Sequence, residues 1–182
     1  MVRRHRSAGG GDVLARERRV PPERDQKPGT GLDPAQARQD YFSRALSSDN
    51  SETRDRYLVV ALAELRKAAK ADDENRDAQF LLGLVYLYKG QKVIEETEIL
   101  QCVTGNEASE FRRESERWMR LSLKHFQRVM VLRKDRDSAT ALNLSTLYLH
   151  FKDYPKAERL ARRALEDIAY STPHLARNNI GR

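Results

Sequence analysis

From Asp33 onward, apolar residues recur at spacings of three and four. One set is Leu58, Ala61, Leu62, Leu65 and Ala68; a second is Ala78, Leu81, Leu82, Val85 and Tyr86. A third runs through Ala141, Leu144, Leu147 and Tyr148, and a fourth through Ala157, Leu160, Ala161, Ala164 and Leu165. Arg, Lys and Glu fill the other faces, so each set is the stripe of an amphipathic helix. Turn chemistry separates the stripes at Ser47-Ser48-Asp49-Asn50, Asp72-Asp73-Glu74-Asn75, Lys89-Gly90, Thr104-Gly105-Asn106 and Lys152-Asp153-Tyr154. From Asp33 on, the prolines are Pro34, Pro155 and Pro173, each where a helix can begin: Asp33-Pro34 and Thr172-Pro173 each read as an N-cap followed by a first-turn residue. No stretch alternates with period two for long enough to argue a sheet. The pattern predicts an all-α body.

The helices repeat. AQFLLGLVYLYKG (78–90) aligns with TALNLSTLYLHFK (140–152), placing Leu82-Gly83 on Leu144-Ser145 and Tyr86 on Tyr148. A third copy begins at LARNNIGR, where Ile180-Gly181 takes the same place. A small residue after Leu or Ile lets two helices approach closely, and the Tyr three residues on fills the gap above. Second helices carry Ala/large/Ala spacing: Ala61, Leu65 and Ala68, and later Ala157, Ala161 and Ala164. LSLKHFQRVMVL, with Ser122, Phe126 and Val129, is the third candidate.

These features resemble the tetratricopeptide (TPR) repeat, best in Ser138 to Leu165, with its Leu-small-x-x-Tyr helix, its Lys152-Asp153-Tyr154 turn and Ala157 at the packing position. The resemblance implies a right-handed superhelix of antiparallel helix pairs over residues 33–182, divided at about 33–75, 76–137, 138–170 and an incomplete repeat at 172–182. Two departures stand out. Ser145 replaces the usual glycine, and Gly83 to Ser145 spans 62 residues, 28 more than one 34-residue repeat, which places an insert near 92–117. Ala164 through Gly181, reading AL-x4-Y-x-TP-x2-A-x2-N-x-G, is similar to type IV pilus biogenesis and stability proteins, the pilotin-like TPR lipoproteins, including the myxobacterial social-motility type. The insert, with Cys102, Gly105 and the Arg-rich helix before Phe126, is similar to the myxobacterial forms. That resemblance implies a pilus secretin subunit as partner and an outer-membrane or periplasmic setting.

In a TPR array the first helices line a concave groove that takes an extended peptide or a partner helix. The groove side is expected to include Phe80, Leu84, Leu87 and Tyr88 from one repeat, and Leu142, Asn143, Thr146, Leu149 and His150 from the next. Such an apolar lining fits a hydrophobic segment and not the TPR carboxylate clamp, since Phe80 and Leu84 stand where that clamp carries Lys and Asn. The alternative is that these residues pack against neighbouring helices or the insert. Asn143 and Asn179 occupy the same repeat position; an amide there holds a ligand backbone or satisfies a neighbouring loop carbonyl.

Charge changes the picture only in part. The net charge is +7 over 182 residues, a balance that raises nucleic acid as a partner. Residues 1–32 hold eight Lys/Arg against four Asp/Glu, so more than half of that charge lies in a Gly- and Pro-containing leader with few large apolar side chains. Such a segment is expected to be disordered, either as a solvated leader or as a basic arm for nucleic acid or anionic lipid. Phe111 to Arg136 carries nine more cations, but Trp118, Ser122, Phe126 and Val129 lie on one face. The arginines are then that helix's solvated face, with an acidic partner surface as a secondary use.

Catalysis has no support in the sequence. His5, His125, His150 and His174 are scattered without metal-ligand spacing, the single Cys102 has no partner that argues for a nucleophile, and no Gly-rich phosphate loop is present. No cofactor, metal or small-molecule substrate is expected. No apolar run reaches the roughly 18 residues of a membrane span, and no export signal or acylated leading cysteine is visible, which reads as cytoplasmic by default against the lipoprotein resemblance. The chain stops inside the first helix of a new pair, leaving Leu175 and Ile180 without a covering helix, so a piece of a longer gene product is expected. The expected function is a non-enzymatic protein–protein interaction scaffold, in pilus secretin assembly. The alternatives are a cytosolic TPR adaptor unrelated to pili and a basic nucleic-acid-binding protein.

Overall fold

The computed structural model describes residues 34–99, 106–134, 136–167 and 169–181, within a compact unit that begins at Asp33. The leader 1–32, Cys102 and the Thr104-Gly105 turn lie outside the described residues. Seven helices follow one another: α1 (Pro34–Ser47), α2 (Ser51–Ala71), α3 (Arg76–Ile99), α4 (Asn106–Leu132), α5 (Ser138–His150), α6 (Tyr154–Leu165) and α7 (Pro173–Ile180). No strand occurs among the described residues. The body is all-α, as the three-and-four spacing predicts.

Local chemistry sets the breaks. The Asn50 side chain accepts from Thr53 N at 3.0 Å and starts α2. Asp137 does the same for α5 through Thr140 N at 2.7 Å, and Asp153 for α6. Between α5 and α6 the chain turns in three residues. Lys152 takes a left-handed φ of 60°, and the Asp153 N–H reaches back to the Tyr148 carbonyl at 2.8 Å, closing α5 just before Asp153 caps α6.

The Lys89-Gly90 pair is not a turn, contrary to the sequence expectation. Both residues lie inside α3, where the missing Cβ of Gly90 makes room for another helix. Of the residues expected as an insert near 92–117, those that are described lengthen α3 and α4. α3 has 24 residues and α4 has 27, against 13 and 12 in α5 and α6, and the pair extends at the end where its two helices join.

Helices α3 and α4 pair antiparallel along a heptad. Ser122 Oγ donates to the Gly83 carbonyl at 2.7 Å, and Ser115 Oγ to the Gly90 carbonyl at 3.0 Å. The residue numbers of each pair add to 205, as an antiparallel pairing requires, and the pairs are seven residues apart on both helices. A large side chain closes each contact: Phe126 lies over Gly83 and Met119 over Gly90. The missing Cβ at these two places brings the helices close enough for a short serine to reach the opposing backbone. Between α5 and α6 a serine–carbonyl link runs the opposite way: Ser145, which aligns with Gly83, donates its Oγ to the Ala157 carbonyl at 2.8 Å.

Two apolar clusters result. The first joins α1, α2 and α3 through Phe42, Leu58, Leu65, Leu82, Val85 and Tyr86. The second joins α3 through α7, with Phe126, Leu144, Leu147, Ala164 and Ala176 buried. Helix α3 contributes to both, which explains why its run from Phe80 to Tyr88 is apolar on every side. Consecutive helices pack on one another, and α1 also meets α3, as α5 meets α7. No described helix is long and apolar enough to cross a membrane.

Candidate functional site

Helix α5 packs on α4, and between it and the long α3 lies a cleft of about 440 Å³. Leu87, Gln91 and Ile94 of α3 form one wall, and Thr146, Leu149 and His150 of α5 the other; Met119 and Leu147 are its buried floor. The wall on α3 exists because that helix runs on past Gly90, so Gln91 and Ile94 come from the segment beyond the expected turn. Tyr154, at the start of α6, is exposed at the mouth. His150 packs edge-on against Phe151 with ring centroids 5.2 Å apart. Desolvation there holds its imidazole below the ordinary histidine pKa, against the opposing field of Glu116, so the ring is neutral and offers one donor and one acceptor at physiological pH.

The residues expected in one groove are distributed over several settings. Leu87, Thr146, Leu149 and His150 come together in this cleft. Tyr88 faces the other way, into a separate cleft with Asp55, Lys92 and Trp118, and its hydroxyl lies 3.5 Å from Arg54 Nη1. Phe80 packs edge-to-face on Phe126 at 5.7 Å, and Leu84 and Leu142 lie against the second cluster, half-buried. Asn143 donates to the Ala139 carbonyl of its own helix at 3.0 Å. Asn179 is buried and donates to Ser145 Oγ and Thr146 Oγ1 at 3.3 and 3.1 Å, tying α7 to α5. The two asparagines therefore do different work despite their shared repeat position.

A second cleft, of about 630 Å³, was not legible as a site in the sequence. It lies between α2 and α4 over α3, and Arg66, Lys70, Lys124 and Arg128 stand on its walls. A polar chain crosses its end. His125 Nδ1 donates to Gln79 Oε1 at 2.6 Å, and Gln79 Nε2 donates to the Asp73 carbonyl at 3.1 Å. Arg128 closes the chain on the Asp73 carboxylate at 2.7 Å. Beneath it Tyr86, 3% exposed, is stacked between Trp118 and His125 at 5.8 and 5.4 Å, and Arg66 Nε donates to its hydroxyl at 2.8 Å. Burial, reinforced by the fields of Lys124 and Arg66, lowers the His125 pKa to about 4. The spacing of Arg66 and Lys70, and of Lys124 and Arg128, at i and i+4 was the available signal; that the two helices face each other was not.

Among the described residues, no group of three or more His, Cys, Asp or Glu is placed to hold a metal ion. The chain matches no protein-family model, no curated protein sequence and no solved structure.

Proposed function

We propose that the chain is a non-enzymatic interaction scaffold of TPR-like helix pairs, wound as a right-handed superhelix, whose α3–α5 cleft binds a segment of another protein. The observation that carries this reading is the cleft itself. An open trough with an apolar floor and a few neutral polar groups at its rim suits a peptide or helix that presents apolar side chains and needs its backbone satisfied. Gln91, Thr146 and His150 can serve that backbone, while Leu87, Ile94, Met119 and Leu149 take the side chains. Support for the repeat assignment comes from a serine–carbonyl link at aligned positions, accepted at Gly83 and donated at Ser145, and from α1 meeting α3 and α5 meeting α7. The resemblance in Ala164 to Gly181 makes a type IV pilus secretin subunit the partner to try first.

The test is capture of the purified secretin subunit by the full chain, compared with Leu149→Lys and His150→Glu variants. Both positions stand on the cleft wall, so each change is expected to weaken capture by about tenfold or more while leaving the helical content unaltered. Equal capture by all three proteins would remove the cleft from the interaction. Failure of the wild-type chain to hold the secretin would leave the adaptor reading without the pilus partner.

A further inference from the structure

The cleft between α2 and α4 shares no lining residue with the α3–α5 cleft and differs from it in charge. Each wall contributes two cations one helical turn apart, Arg66 and Lys70 from α2 and Lys124 and Arg128 from α4. Arg128 is neutralised by Asp73 and Glu74, and Arg66 is held on the Tyr86 hydroxyl. Lys70 and Lys124 are exposed and have no carboxylate partner among the described residues. Between the cations the lining turns apolar, at half-buried Ala69 on α2 and at Val131, 67% exposed, on α4, above the buried Leu82. Two positive walls flanking an apolar strip are an uncommon arrangement for a surface that meets only water.

We propose that this cleft docks an acidic amphipathic segment of a partner protein, with an apolar side chain over Ala69 and Val131 and carboxylates directed at Lys70, Lys124 and Arg66. Charge and shape exclude the other occupants. The leader of this chain has a net charge of +4 over residues 1–32, the same sign as the cleft's cations and so not complementary to them. A single strand held by base stacking needs exposed rings, but Tyr86 is buried within its stack. Its phosphates would also run past the Asp73 and Glu74 carboxylates beside Arg128. An isolated phosphate or carboxylate would find two flexible lysines on opposite walls and no buried donor converging on it. Only a ligand that combines separated negative charges with apolar surface uses both parts of the cleft.

Fluorescence anisotropy on the full chain tests this with a labelled synthetic peptide of about four helical turns, in which Leu at every third or fourth position is flanked by Glu. The peptide is expected to bind, and Lys70→Glu with Lys124→Glu is expected to weaken it by at least about tenfold. Both lysines are exposed, so the double variant keeps its fold, checked by circular dichroism. Leu149→Lys, in the other cleft, is expected to leave this binding unchanged, which separates failure here from failure of the α3–α5 reading. Polyglutamate without leucine binding as tightly as the peptide would overturn the proposal, since the apolar strip would then play no part. So would the absence of peptide binding, or tighter binding of single-stranded oligothymidylate that is lost in the same double variant.

Discussion

His125 shows how far a side chain's chemistry depends on its neighbours. In the sequence it is one of four scattered histidines. In the fold it is stacked on Tyr86, hydrogen-bonded to Gln79, and faced by Arg66 from α2, Asp73 from the following turn and Lys124 from its own helix. With a folded pKa of about 4 against an ordinary value of 6.5, the unfolded chain takes up this proton first as pH falls. The sign is therefore fixed: stability is complete above about pH 6.5 and is lost progressively down to about pH 4. Because the ring is partly open to solvent, the loss is expected to be about 1–2 kcal/mol, below what the full shift would carry. Urea midpoints measured at about pH 7 and about pH 4.5 should differ accordingly, and His125→Gln should shrink the difference. His150, also lowered by desolvation, supplies a remainder of the same sign. An unchanged pH response in His125→Gln would mean that the ring is not held neutral.

Among the elements, the α3–α4 hairpin depends on two glycines in unequal ways. A Cβ at Gly83 would sit 2.6 Å from the Phe126 ring, a rigid group with no exposed surface into which to move. At Gly90 the nearest atoms are 3.0 Å away and belong to the flexible end of Met119. Alanine raises helix propensity at either place by about 1 kcal/mol, so only the steric term separates them. Gly83→Ala is expected to lower stability by about 2 kcal/mol net, and Gly90→Ala to stay within about 1 kcal/mol of wild type. Chemical unfolding of both variants checks this, and adding Phe126→Leu to Gly83→Ala should return part of the loss. The sequence displays Gly83 as a repeat position, because a small residue after Leu recurs. It presents Gly90 as a turn, because Lys-Gly is common turn chemistry. Only the partner helix, with Ser115 and Met119 opposite, shows why a glycine belongs in the middle of α3.

Across the whole body, each helix meets near neighbours in the chain, so stability is expected to be local and not shared evenly. Helix α7 packs on α5 and α6, and buried Asn179 provides its polar link to Ser145 and Thr146. Asn179→Ala should therefore speed amide exchange in α7 while exchange in α3 stays at its wild-type rate, since α3 is held by both apolar clusters. Equal acceleration throughout would show a single cooperative unit instead. At this scale the net charge of +7 also acquires a place: part of it forms the walls of the α2–α4 cleft. Spacing alone determined that the body is helical, where most helices begin and end, and which faces are buried, because period, caps and turn residues are local properties of the chain. Tertiary structure decided the rest: that the extra residues before Ser145 lengthen α3 and α4, that Leu87 and Tyr88 open into different clefts, and that Arg66 and Lys70 stand across from Lys124. Those outcomes depend on how closely two helices approach and how they are rotated about their axes, and both are set by contacts between residues far apart in sequence.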